Sequence, residues 1–203
     1  MKLIGIVKQH IAQYSGFYTV SAAAFLAGGL VAAFSVFSMP ELKSRELALY
    51  LNDFFASLRD AGTDGAEILR TAALTNLKSV AVLIMLSFMI IGAPFVAAFC
   101  AFRGYTAFFT LLLAVRIYGI RAALFFLAGM LPHWLILFPC YGFLITLCMR
   151  FSLGEGRERG FSTRSFGIFF AAAGVVYALT FSAALIEAYV EPLLLSLISK
   201  YFI

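Results

Sequence analysis

The side chains that could hold a metal or attack a substrate are few in this sequence, and they are far apart. There are two histidines, His10 and His133, so no pair of histidines one helical turn apart is available to bind zinc. The three cysteines, Cys100, Cys140 and Cys148, form no CxxC pair and lie in or beside apolar stretches. We interpret them as reduced, buried hydrophobic residues, and we expect neither a metal site nor a disulfide framework.

Sequence motifs that carry catalysis are also missing. No GxSxG nucleophile motif and no phosphate-binding GxxxxGK[ST] motif occurs, and no carboxylate pair lies within an apolar span. The fragment Gly154-Glu155-Gly156 is too short to indicate phosphate binding. The sequence therefore predicts a protein that is not an enzyme and that binds no cofactor.

One histidine stands beside a proline inside an apolar stretch. Pro132 precedes His133, and Pro139 follows within the same stretch. Proline removes a backbone donor and bends a helix, so we interpret Pro132, His133 and Pro139 as a structural helix break. The imidazole could donate to a carbonyl freed by the break, which is the interpretation we favour, or it could relay protons along a polar path.

Two carboxylates follow the last apolar stretch. Glu187 and Glu191 could pair with Arg116 or Arg121, which the predicted topology places on the same side of the membrane. Such a cluster could bind a partner helix or a lipid headgroup. Charges at a helix end that simply face water explain the same residues, so both interpretations stay open.

The composition indicates the environment in which these residues lie. Hydrophobic residues make up 63% of the 203 positions and charged residues only 12%, whereas a soluble domain carries about 25% charged residues. A folded aqueous core of this size could not hide so much apolar surface, so we predict an integral membrane protein. The net charge of +5 is scattered between apolar blocks, which favours contact with anionic lipid headgroups and excludes a nucleic-acid surface.

The apolar stretches predict an all-α, polytopic bundle of about five transmembrane helices, since one crossing needs about 20 apolar residues. We place the first crossing at 17–37 and the second at 79–102, followed by a tight polar turn at Arg103-Gly104. A third helix continues from there through Arg116, and 122–149 forms the proline-broken helix. The last clear crossing is 165–186, and the segment from Pro192 is predicted to lie at an interface.

The whole chain, 1–203, then forms a single integral membrane domain in the cell membrane. We expect a cytoplasmic N-terminus and an extracytoplasmic C-terminus, because the arginine-rich loop 150–164 would then be cytoplasmic. Ala24, Gly28 and Ala32 share one face of the first helix, where small residues allow close helix packing. That packing is expected within the chain, with a second copy of the chain as the alternative.

Residues 40–78 form the only sizeable polar segment, and we predict an extracytoplasmic amphipathic helical segment there. Asp64 and Glu67 can cap a helix that runs into the second crossing. Five apolar residues in this segment recur at helical spacing and are our predicted partner-binding residues: Leu47, Leu51, Phe54, Phe55 and Leu58.

The central part of the chain resembles a known family. It reads NLKSVAVLIML, then SFMIIGAPFVAAFCAFRGYTAFF, and later LPHWLILFPCYGFLITLCMRFS. An apolar stretch with an internal Gly-Ala-Pro, a basic-Gly pair, and then Leu-Pro-His with a second proline resembles the stage II sporulation protein M family. The similarity is specific over about 76–152, and elsewhere the layout of spans and polar segment agrees.

This resemblance implies a non-enzymatic membrane scaffold that acts during engulfment in endospore-forming bacteria. In that family the protein positions two peptidoglycan hydrolases at the septum. They are the stage II sporulation protein P amidase-endopeptidase and the stage II sporulation protein D lytic transglycosylase. The location implied is the septal or engulfing membrane. A small-solute channel or transporter built around the break from Pro132 to Pro139 is the alternative function.

Overall fold

The computed structural model describes residue 9 and residues 11–60, 64–89, 91–153 and 163–198, with the side chains of 54–60, 163–165 and 198 excepted. All regular structure in these ranges is helical. The elements, in chain order, are α1 (Ser15–Phe37), α2 (Glu41–Asp60), α3 (Gly65–Phe88), α4 (Gly92–Tyr118), a 3-10 turn (Gly119–Arg121), α5 (Ala122–Phe125), a π-helical turn (Phe126–Met130), α6 (Leu131–Ser152), α7 (Thr163–Leu185), a second π-helical turn (Ile186–Val190) and α8 (Glu191–Ile198).

Four segments of the described chain are long and apolar enough to cross a membrane: Ser15–Phe37, Gly65–Phe88, Gly92–Ser152 and Phe166–Leu197. The third has 61 residues, three times what one crossing needs. It folds back on itself, because a Cβ added to Gly92 at one end would lie 2.8 Å from Oγ of Ser152 at the other. Its legs, α4 and α6, have 27 and 22 residues and are each long enough to cross. An all-α polytopic fold, as predicted, is therefore confirmed.

The predicted second crossing at 79–102 is wrong. Helix α3 ends at Phe88, Met89 is extended (φ −73°, ψ 142°), and a new helix starts at Gly92. Pro94 lies in the first turn of α4, the one helical position where its missing N–H is harmless, so the chain breaks just before it. The predicted turn at Arg103-Gly104 is also wrong, since both residues lie well inside α4.

The boundary of the polar segment changes for the same reason. Residues 65–78, which the sequence placed in a polar segment outside the bundle, form the first part of α3 and belong to a candidate span. The predicted cap at the start of this helix is confirmed. The Asp64 side chain accepts a hydrogen bond of 3.0 Å from the Ala66 N–H, and Glu67 lies in the first turn, where an acid stabilises the helix dipole.

Helices α1 and α4 pack closely and run parallel, because glycines let their backbones touch. A Cβ added to Gly28 would lie 1.8 Å from the Ala101 carbonyl oxygen, and one added to Gly104 would lie 2.1 Å from the Phe25 carbonyl oxygen. Neither position has room for any side chain. The predicted role of the small-residue face in packing within the chain is confirmed, since Gly28 and Ala32 are buried.

The core lies where α3, α4, α6 and α7 meet. Leu83, Val96, Leu144 and Cys148 are its fully or almost fully buried members. All three cysteines are buried and free. The four helices thus form a packed body, against which α1 is held through α4.

Candidate intramembrane binding site

A cavity of about 800 Å³ opens among the helices that form the candidate membrane spans. Its walls come from α1, α3, α4 and α6, together with Asp64, which caps α3, and Glu187 of the second π-helical turn. Cavities that bind small molecules have volumes of about 300–1,000 Å³, so this one is large enough for a ligand.

The polar part of the cavity wall is built on three helices. The Arg103 guanidinium of α4 lies over the ring of Tyr141 of α6, 4.7 Å from its centroid. The Tyr141 hydroxyl donates to Oδ1 of Asn76 on α3, at 3.2 Å, and Nδ2 of Asn76 donates to the Thr180 carbonyl of α7, at 3.3 Å. Because Asn76 is only 4% exposed, these bonds hold both Tyr141 and the arginine above it in place.

One end of the cavity is acidic. Asp64 and Glu67, at the start of α3, and Glu187 contribute carboxylates to its lining. Helix α3 rises about 1.5 Å per residue, so Glu67 lies on the order of 13 Å along the axis from Asn76, the level at which Arg103 is held. The cavity therefore has carboxylates towards one end and a guanidinium deeper inside.

Arg103 and Glu187 face this cavity without forming an ion pair. Both are half-buried, and His133 lines the cavity with them. His133 and Glu191 form a close contact between ionisable side chains. Charges inside a membrane protein are costly unless paired or solvated, so a ligand group of opposite sign would stabilise either residue.

The remaining wall is apolar and aromatic. Phe25 of α1 makes edge contacts with Phe108, Trp134 and Phe138, at centroid distances of 5.7, 6.3 and 5.8 Å. Trp134 and Phe138 line the cavity together with Phe25 and Leu137. The site thus combines two opposite charges with a surface that suits a hydrocarbon group.

His133 contacts a carboxylate rather than the freed carbonyl that the sequence suggested. Oε1 of Glu191 accepts from the His133 backbone N–H at 3.2 Å and lies 2.5 Å from Nδ1 of its ring. His133 is in the first turn of α6, where backbone N–H groups lack partners inside the helix, so Glu191 caps α6 from another helix. Glu191 is only 4% exposed, which excludes a water-facing role for it.

The suggested pairing of these carboxylates with Arg116 is not observed either. The Arg116 guanidinium instead donates to the carbonyl oxygens of Val36 and, at 3.1 Å, of Met39. These carbonyls lie at the end of α1, where a helix leaves its last acceptors unpaired. Arg116 therefore joins α4 to the end of α1.

The two prolines of the predicted helix break behave differently. Pro132 lies in the first turn of α6, directly after the π-helical turn that ends at Met130. Pro139 lies inside α6, which is helical on both sides of it. A change of helix type therefore occurs before Pro132 and not at Pro139. Pro132 is tolerated at its position because the first turn of a helix needs no backbone donor from proline.

The predicted partner-binding residues lie on α2. Leu47 and Leu51 are half-buried, and this helix packs against α8 and is tied to the end of α4 by a 2.8 Å hydrogen bond from the Tyr118 hydroxyl to Asn52. The side chains of Phe54, Phe55 and Leu58 lie outside the described residues. Three other apolar side chains of α2 are strongly exposed: Leu42 at 71%, Leu49 at 63% and Tyr50 at 71%.

Sequence reasoning missed Arg103 and Asn76 as site residues. Arg103 was taken for the end of a span, because a charge usually marks one. Its position argues otherwise, since the eleven residues of α4 before it and the twelve after it up to Val115 are uncharged. A single charge in the middle of so long an apolar helix indicates a polar site inside the bundle.

These observations define the class of the protein: an all-α, polytopic helical membrane protein with a charged cavity among its helices. The model of the stage II sporulation protein M family matches residues 21–192, which is most of the chain. The chain therefore belongs to the stage II sporulation protein M family, and it is a sporulation-related membrane protein; the family is not a known enzyme family. No curated protein and no solved structure matches the chain.

Proposed function

We propose that the protein is a non-enzymatic membrane scaffold that recruits and positions peptidoglycan hydrolases at the septum during engulfment. Its partners are the amidase-endopeptidase and the lytic transglycosylase implied by the family, stage II sporulation proteins P and D. The N-terminus and loop 150–164 are cytoplasmic in this proposal, because that loop is rich in arginine. The C-terminus and α2 then face the cell wall.

The exposed face of α2 is the observation that supports a partner surface. This helix lies between two candidate spans, and it is much more polar than either. It nevertheless exposes Leu42, Leu49 and Tyr50. A water-facing helix gains nothing from exposed apolar side chains, whereas a partner helix or juxtamembrane segment would bury them.

Co-purification in mild detergent tests this surface. Leu49→Asp and Phe54→Asp should each reduce capture of the two hydrolases by about tenfold, since a charge in an apolar contact costs at least about 1.4 kcal/mol. Glu46→Gln, on the same helix and also exposed, should leave capture unchanged. If both apolar variants capture the hydrolases as the unaltered protein does, α2 is not the partner surface.

A second function, passage of a small solute, is favoured by the cavity and by the position of His133 in its lining. Transporters place their substrate sites inside the membrane, next to helices of irregular geometry, and a π-helical turn precedes α6 here. Solute flux into proteoliposomes that disappears in His133→Ala would support this function. Proteoliposomes that take up no solute tested would leave the scaffold as the better proposal.

A further inference from the structure

We propose that the cavity is a binding site for a zwitterionic amphiphile, a molecule with an anionic group, an ammonium group and an apolar portion. Arg103 binds the anionic group, Glu187 binds the ammonium group, and the wall around Phe25 and Phe138 contacts the apolar portion. The inference rests on the cavity itself. It requires neither the hydrolase partners nor solute passage.

The separation of two opposite charges carries the argument. Arg103 and Glu187 are half-buried and line the same cavity, which His133 also lines, and they form no ion pair with each other. An apolar environment strengthens the attraction between opposite charges, so a ligand group of opposite sign would be held strongly at either residue. A ligand with both charges satisfies each group where it stands.

The position of the Arg103 guanidinium is fixed by residues of other helices. Its guanidinium stacks on Tyr141, which is held by Asn76, which is held in turn by the Thr180 carbonyl. Three further helices thus position one cation. A planar guanidinium held in this way offers two parallel donors, which is the geometry that a phosphate or carboxylate accepts.

The other acids at the cavity select against a simple anion. Glu67 and Asp64 line the same cavity as Glu187, so the lining has more carboxylates than guanidinium groups. A ligand with negative charge alone would be repelled by them, and one with positive charge alone would leave Arg103 without an anionic partner. A molecule with both charges avoids either repulsion.

Two sources of such a molecule share this chemistry. An aminophospholipid of the bilayer has a phosphate, an ammonium group and acyl chains. A soluble apolar amino acid has a carboxylate, an ammonium group and a hydrocarbon side chain. Either fits a cavity of about 800 Å³, the lipid with its headgroup and the first part of its chains.

The single tryptophan of the chain, Trp134, lines this cavity and reports on its contents. We would reconstitute the full chain in vesicles of phosphatidylglycerol that contain no phosphatidylcholine. Phosphatidylethanolamine with brominated acyl chains is then added, because bromine quenches indole fluorescence on contact. Quenching should saturate and should exceed that by brominated phosphatidylglycerol at the same mole fraction. In the second arm, leucine added to vesicles without brominated lipid should shift the Trp134 emission if the ligand is soluble.

Charge-removing variants test whether Arg103 and Glu187 bind the ligand. Arg103→Gln and Glu187→Gln should each weaken the phosphatidylethanolamine or leucine response by about tenfold or more, since each removes a charge-assisted hydrogen bond. Arg70→Gln, an exposed residue of α3 outside the cavity lining, is the matched control and should bind as the unaltered protein does. Equal quenching by both brominated lipids with no leucine response would overturn the proposal, as would unchanged binding in both cavity variants. Hydrolase capture is a separate measurement, so this outcome would not touch the scaffold proposal.

Discussion

The Glu191 carboxylate contacts His133 twice, once at the backbone N–H and once at the ring, although the two residues are far apart in the chain. This contact joins the start of α6 to the start of α8 in a buried position. It replaces the missing intrahelical acceptor at the first turn of α6. The starts of α6 and α8 are thereby held together by one side chain.

Disrupting this contact should destabilise the protein. His133→Ala and Glu191→Gln should each lower the free energy of unfolding by about 1–3 kcal/mol, the cost of a lost hydrogen bond to a charged or buried group. The double variant should show an interaction energy above about 0.5 kcal/mol, because the two changes remove the same contact. Unfolding in detergent mixtures measures these energies. The matched cycle of Glu191→Gln with Leu193→Ala, an exposed neighbour, should be additive.

A methyl group at the α1–α4 contact should have a larger effect than its size suggests. In Gly28→Ala the new Cβ would lie 1.8 Å from the Ala101 carbonyl oxygen, so the backbones must separate. We expect a loss of about 1–3 kcal/mol or more, as for other overpacked cores. Gly174→Ala is the control, because nothing lies within 4 Å of its Cβ and alanine favours a helix by about 1 kcal/mol over glycine. Equal thermal stability of the two variants would contradict the close contact.

The link between Arg116 and the end of α1 should depend on the shape of the guanidinium. Arg116→Ala should lower the free energy of unfolding by about 1–3 kcal/mol, since two carbonyl groups lose a charged donor. Arg116→Lys should recover only part of this, because an ammonium group cannot span two carbonyls as a planar fork does. Arg70→Ala, also an arginine but exposed, should be close to neutral. Full recovery by lysine would show that charge alone matters.

The buried Asn76 should stabilise the bundle through its polar groups rather than its volume. Tyr141→Phe leaves Oδ1 of Asn76 without its donor and should cost about 1 kcal/mol. Asn76→Leu removes the contact with the Thr180 carbonyl as well, and should cost about 1–3 kcal/mol despite the added apolar volume. Tyr105→Phe, in the same part of α4 as Arg103, is the control. Unfolding in detergent would reveal a structural role even if lipid binding is unaffected.

The sequence allowed the membrane class, the helical fold, the first helix and the cap at Asp64 to be predicted, because each depends on local composition or spacing. The break between Phe88 and Gly92 was missed, since the apolar stretch continues across it and only Pro94 marks it. Arg103 was placed at a span end because its partner, Tyr141, is distant in sequence. The cavity could not be predicted for that reason: its polar groups come from three helices and a π-helical turn, and they meet only after the bundle has folded.

The glycine contacts of α1 and α4 also decide which parts of the molecule can move. Two helices whose backbones touch at Gly28 and Gly104 can neither slide nor rotate past each other without a collision, so they move as one rigid body. A larger opening of the cavity therefore has to come from its other walls, α3, α6 and the turn that carries Glu187.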